Sequence, residues 1–116
     1  MKVFVLSFQG AWEKIGCYSN KSPTNALPDS FGDINIGSDP DTSYDFCKGK
    51  AESLGYKIFG VDDKSKNCLY GDNAEMNYNK YGASKLCVFS KAKTGHATGN
   101  SSYGNMFVYI KARVMW

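Results

Sequence analysis

Residues 42–71 read TSYDFCKGKAESLGYKIFGVDDKSKNCLYG, and this stretch decides the fold. Tyr44, Cys47, Ala51 and Leu54 recur at helical spacing, which predicts a helix over 43–54 with one apolar face. Thr42 is placed as its N-cap, with Asp45 three residues on, and Gly55 as its stop. Gly49 weakens the interior by about 1 kcal/mol relative to alanine. The helix must therefore lean on packing and on a disulfide through Cys47. Residues 56–61 follow at once as a strand, 62–66 as a polar turn, and 67–71 as a short return strand carrying Cys68.

Outward from this core, the strongest strand signals lie near the two ends. Residues 3–8 alternate with Phe4, Leu6 and Phe8 on one face. Residues 105–114 do the same, Met106, Val108 and Ile110 facing one way and Phe107 and Tyr109 the other. These two are expected to pair antiparallel. The apolar run at residues 3–8 is too short for the core of a signal peptide and reads as a strand. Residues 18–40 and 91–104 are rich in Ser, Asn, Pro, Asp and Gly and read as surface loops. Residues 72–81 read as a helical turn capped by Asn73, with Ala74 and Tyr78 on one face. Residues 86–89 read as a short strand around Cys87. The fold class expected is α+β: one domain over residues 1–116, its main helix packed on a small antiparallel sheet of about four to six strands that includes both terminal strands.

Four cysteines, Cys17, Cys47, Cys68 and Cys87, are even in number, widely spaced and without a Cys-x-x-Cys pair. That pattern argues for two disulfides in an oxidising compartment, hence a secreted protein, and against zinc or a redox motif. A helix packed on its following hairpin places Cys47 near Cys68, leaving Cys17 to Cys87. A shifted hairpin register would instead let Cys17 take Cys47 or Cys68. No stretch approaches the length needed to span a membrane. The net charge of +3 comes almost wholly from lysine, Arg113 being the only arginine, and no block of basic residues appears. Lysines and acids are read as interleaved, so a nucleic-acid partner is not expected.

Gly16-Cys17-Tyr18, then Ala26-Leu27-Pro28, the helix with Cys47 and Ala51, residues 55–61, Asn67-Cys68-Leu69-Tyr70-Gly71 and a closing Val108-Tyr109 strand form an ordered set. This order resembles the WSC domain and, more loosely, the PAN/apple group of extracellular modules. It is most similar to WSC-like single domains in secreted proteins of marine invertebrates, whose Cys-x-x-Gly-x-x-Ala and Tyr-x-Lys-Tyr-Gly elements correspond to residues 68–74 and 78–82. WSC domains usually carry eight cysteines, so the chain resembles a reduced-cysteine relative, with Ala51 and Tyr70 where partner cysteines would stand. The resemblance implies carbohydrate binding, or mixed protein and glycan binding, and no catalytic residues or cofactor.

Protein sites hold sugars with an aromatic face and with Asp, Asn or Gln bonded to vicinal hydroxyls. Tyr70, Asp72, Asn73, Tyr78 and Tyr81 supply both ingredients within twelve residues and are the expected ligand-binding set, with Tyr103 and Asn105 approaching from the last loop. The same residues also fit a plainer reading, in which Asn73 caps a turn and the tyrosines pack. Asp33, Asp39 and Asp41, and the adjoining Asp62 and Asp63, do not match a calcium-loop spacing and read as solvated turn residues, so no metal is expected. His96, the single histidine, lies in a polar loop and reads as solvated rather than catalytic. Asn20-Lys21-Ser22 and Asn100-Ser101-Ser102 are glycosylation sequons in predicted loops. The function expected is a lectin-like module without catalysis whose partner is a glycan or glycoprotein. A structural or adhesive protein-interaction domain and a defence or toxin protein are the other classes. A single shallow sugar site would favour a homo-oligomer.

Overall fold

The computed structural model describes residues 12–20, 27, 29–31, 39–62, 67–99 and 104–111. The chain order is β1 (Trp12–Ser19), β2 (Asp29–Phe31), α1 (Pro40–Leu54), β3 (Ile58–Asp62), β4 (Asn67–Tyr70), a one-turn α2 (Ala74–Asn77), β5 (Val88–Phe89), β6 (Ala97–Thr98) and β7 (Asn105–Lys111). Five strands form one antiparallel sheet in the order β1-β7-β3-β4-β2, and β5 and β6 form a separate two-stranded ribbon. This is the α+β architecture expected, with one main helix and the first and last described strands paired side by side.

Strand alternation sorts the core into two layers. On one face of the sheet Phe59, Val61, Cys68, Tyr70, Phe107 and Tyr109 pack with Cys47 and Ala51 of α1 and Ala97 of β6. On the other, Ile58, Leu69, Met106 and Val108 pack with Leu27 and Ala74. Both faces of β7 are therefore buried, which is why its alternation is apolar on both phases. Gly60 in β3 leaves room for this second layer: a Cβ there would come 2.8 Å from the Met106 sulfur.

The partner of β7 differs from the expected one. Residues 3–8 lie outside the described residues, and β7 pairs with β1, whose register slips at a bulge between Lys14 and Gly16. Gly16 sits there at φ 147°, a conformation side chains resist. The bulge and the exposed Glu13 and Lys14 break the period-two pattern by which β1 would have been read.

Helix α1 starts three residues before the expected boundary. Pro40 takes the first helical position, where its missing N–H costs nothing. Asp39, not Thr42, is the N-cap: its carboxylate accepts from the Asp41 N–H at 3.3 Å and from the Thr42 hydroxyl at 2.9 Å. The C-terminal end is as expected. Gly55 has φ 83°, its N–H reaches Glu52 O, and the Tyr56 N–H reaches Ala51 O at 2.9 Å, the paired bonds of a Schellman motif. Leu54, assigned to the buried face, is half exposed.

Both disulfides join the predicted partners. Cys47–Cys68 ties the middle of α1 to β4, and Cys17–Cys87 ties β1 to the segment entering β5. Residues 91–104 are not a surface loop throughout. Ala97, Thr98 and Gly99 are buried, and the Gly99 N–H bonds to Val61 O at 2.8 Å. A Cβ on Gly99 would lie 1.9 Å from the Asn105 carbonyl oxygen, so only glycine fits this close backbone approach. Among the described residues, no helix is long and apolar enough to cross a membrane.

Candidate functional site

The two ends of α1 each border a concavity. At the C-terminal end a cavity of about 230 Å³ is lined by Gly55, Tyr56, Lys57, Asp72, Ala74 and Glu75. At the N-terminal end a groove of about 530 Å³ runs between Asp39, Pro40 and Asp41 on one side and Val88, Phe89 and Lys91 on the other.

The structure does not gather the predicted binding residues into one place. Asp72 is exposed and lines the smaller cavity. Asn73 is exposed at the N-cap of α2, as predicted, but its side chain makes no capping bond. Tyr70 is 2% exposed, stacked on Tyr56 with ring centroids 4.8 Å apart, and offers no ring face to a ligand. Burial pushes its hydroxyl pKa up, with the neighbouring Tyr56 adding to the shift. Among the described residues nothing bonds to that hydroxyl. Tyr78 and Tyr81 are half-buried against the opposite face of the sheet, Tyr78 edge-on to Tyr18 at 5.0 Å. The shared twelve-residue window therefore splits between the two core layers. Asn105 is buried and donates to the Ser84 hydroxyl, and Tyr103 lies outside the described residues. Asn20, of the first sequon, is half-buried and its side-chain oxygen accepts from the Leu27 N–H, while Asn100 lies outside the described residues.

At the other end of the helix a polar cluster forms that sequence reading missed. One oxygen of Asp41 accepts from the Thr94 hydroxyl at 2.5 Å and meets His96 Nδ1 at 2.7 Å. The other accepts from the Ser90 hydroxyl at 2.5 Å. The Ser90 bond, then Thr94, then His96 hold the carboxyl pKa down at about 2. His96 is not solvated: its ring stacks on Tyr44 at 3.9 Å and meets Tyr109 edge-on at 5.9 Å. The partners stand 49, 53 and 55 residues from Asp41, so no local motif announces them. Asp39 is occupied as the helix cap, and Asp33 and Asp63 lie outside the described residues. Among the described residues, no group of three or more His, Cys, Asp or Glu is placed to hold a metal ion.

The cluster has a carboxylate, an imidazole and a hydroxyl, but in the wrong order for acyl transfer. A nucleophilic serine must give its proton to the imidazole, with the carboxylate behind it. Here Ser90 and His96 both bond to Asp41, which sits between them. The arrangement cross-links the start of α1 to the β5–β6 ribbon and sets one wall of the groove. Across from it, Phe89 is 56% exposed, and its ring is steadied edge-on by Phe107 at 5.6 Å.

Compared with protein-family models, with curated proteins and with solved structures, the chain matches none.

Proposed function

We propose that this chain is a secreted, disulfide-stapled binding domain, without catalysis, that takes a carbohydrate in the groove at the N-terminal end of α1. The observation that carries this reading is the exposed Phe89 ring in the same groove as ordered polar groups of Asp39, Asp41 and Ser90. An aromatic face opposite fixed hydrogen-bonding groups is what sugar recognition requires. Fixed polar groups also lose little entropy on binding. Two disulfides support an oxidising, extracellular setting. The resemblance to WSC and PAN/apple modules points the same way, on the residues quoted for it. Carbohydrate in the cavity beside Asp72 is the second reading, favoured by that residue's exposure there.

The test is an array of immobilised glycans probed with the purified protein. Binding to at least one glycan is expected. Phe89→Ala should weaken it by roughly tenfold, the loss of one aromatic contact, while the far-ultraviolet spectrum stays unchanged. No binding at any glycan density would sink the carbohydrate reading and leave an adhesive protein-interaction domain. Binding that rises steeply with glycan density would indicate multivalency through self-association.

A further inference from the structure

The groove takes its charges from two halves of the chain. All eleven acidic residues lie at or before Glu75, so the interleaving of charges read from the sequence stops there. Asp39 and Asp41 come from the acidic half and Lys91 from the basic one. Hydroxyls, a backbone N–H and the His96 ring hold the two carboxylates. Hydroxyl and amide donors leave a carboxylate its charge. With histidine counted as neutral, the lining carries two negative charges against one positive. The start of α1 adds about half a positive charge, which does not reverse the sign. The charges also differ in mobility. Both carboxylates are fixed by their bonds, whereas Lys91 is exposed on a flexible stem that turns its ammonium to water.

Hydrogen-bonding capacity points the same way. An ionised carboxylate has about four acceptor sites. Asp39 uses one for the Asp41 N–H and one for the Thr42 hydroxyl, and Asp41 uses one each for Ser90, Thr94 and His96. About three acceptor sites remain, and only a donor fills them. Thr98 is a second, independent sign of an absent partner. It lines the groove from β6, it is 2% exposed, and among the described residues nothing bonds to its hydroxyl. Phe89 adds an exposed ring, whose face attracts a cation as well as the apolar side of a sugar.

We propose that the ligand of this groove is an amino sugar with a free, protonated amine, which donates to the carboxylates of Asp39 and Asp41. This rests on the carbohydrate reading above and names its chemical class. The chain as a whole carries +3 and repels a cation, so attraction of an amine must be local to the groove. The glucosamine hexasaccharide and its N-acetylated counterpart share a backbone and differ at the amine, so they are the probes. Titrations at about pH 7 keep the amine largely charged, since α-amino groups titrate near 8. The free amine should bind at least about tenfold more tightly than the acetylated form, with affinity falling as salt rises. Asn caps a helix as well as Asp does, so Asp39→Asn removes the charge and keeps α1. It should weaken binding of the free amine by about fivefold and leave the acetylated form almost unchanged. Glu75→Gln, exposed beside the other cavity, removes the same charge and should change binding by less than about twofold. Lys91→Gln should strengthen binding by about twofold at low salt.

Equal losses in Asp39→Asn and Glu75→Gln would overturn the proposal, and so would weaker binding by Lys91→Gln. The Lys91 variant alters only an exposed side chain, so it decides the matter even if Asp39→Asn fails to fold. Tighter binding of hexalysine than of the glucosamine hexasaccharide would also overturn it and give the groove to a basic peptide. If acetylated or other uncharged glycans bind and the free amine binds no more tightly, this proposal falls and the carbohydrate reading stands. If no saccharide binds in either experiment, both fall.

Discussion

The two ends of α1 are built on opposite principles. The C-terminal end is closed locally: Gly55 and Tyr56 donate back to the helix's own last carbonyls, and Tyr56 lies flat on a buried Tyr70 whose hydroxyl no described residue satisfies. The N-terminal end is closed by residues 49 to 55 positions away, which satisfy a half-exposed carboxylate from three directions. Local closure needs no distant partner and leaves its polar atoms to chance. Long-range closure spends ordered polar groups at the surface, where a ligand can reach them. The difference is the reason the groove, and not the smaller cavity, is the better candidate site.

The disulfides allow the sharpest separation of the two ends. Replacing Cys17 and Cys87 by alanine opens a loop of 70 residues and should cost ~4.4 kcal/mol in the chain-entropy model. Replacing Cys47 and Cys68 opens 21 residues and should cost ~3.3 kcal/mol. Urea melts of the two variants measure the ranking. The first variant releases the segment entering β5, so its groove should lose ligand affinity even where the protein remains folded. The second loosens the helix from β4 and should disturb both ends. Equal binding by parent and Cys17→Ala/Cys87→Ala would show that β5 is held by its ribbon alone.

Two buried tyrosines carry the comparison to single atoms. The Tyr109 hydroxyl accepts from the Ala97 N–H at 3.0 Å and donates to its carbonyl at 3.3 Å. Tyr109→Phe should destabilise by about 1–3 kcal/mol, since it strands a buried backbone N–H of β6. Tyr70→Phe removes a hydroxyl with no described partner and should be neutral or stabilising by up to about 1 kcal/mol. Equal losses in the two variants would show that the Tyr70 hydroxyl has a partner after all.

What could be read in the sequence follows the same division. The end of α1, the return hairpin and the Cys47–Cys68 disulfide were legible because each rests on nearby stretches of chain: Gly55 as a stop, then two short strands that bring Cys68 under Cys47. Cys17–Cys87, 70 residues apart, followed only as the pair left over. The start of α1 was not, because Asp39-Pro40 looks like loop until Pro40 is seen as the first helical residue. Strand β1 was hidden by the bulge at Gly16. The groove was hidden most completely. A lone histidine, two hydroxyls and an aspartate share no spacing, and only the tertiary fold joins them to Tyr44. Tyr70, Tyr78 and Tyr81 show the converse limit, since a tyrosine's neighbours in sequence do not say which face of the sheet takes its ring.

Acid should weaken the N-terminal end first. Folding lowers the Asp41 pKa from 3.8 to about 2, mainly through Ser90. The unfolded chain therefore binds the proton more readily, and stability declines as pH falls. The contribution of Asp41 is fully present above about pH 4 and is lost as pH drops through about 2. Melting temperatures of the parent and of Asp41→Asn should differ by a constant amount above pH 4 and converge toward pH 2. A gap independent of pH across that window would mean that the carboxylate's charge contributes nothing to holding the ribbon.

Asp72→Ala should have the smallest effect, and it decides between the two ends. The side chain is exposed, and the described residues give it no hydrogen bond or ion pair. Surface changes of this kind usually stay within about 0.5 kcal/mol, so the melting temperature should hardly move. Its effect on binding is then free of any folding effect. With the ligand in the N-terminal groove, Asp72→Ala binds the glycan as the parent does, while Phe89→Ala weakens it. The reverse pattern, loss at Asp72 and none at Phe89, would move the ligand to the cavity beside Gly55. The Tyr56 ring would then be the stacking surface, because it lines that cavity and Tyr70 lies buried against it.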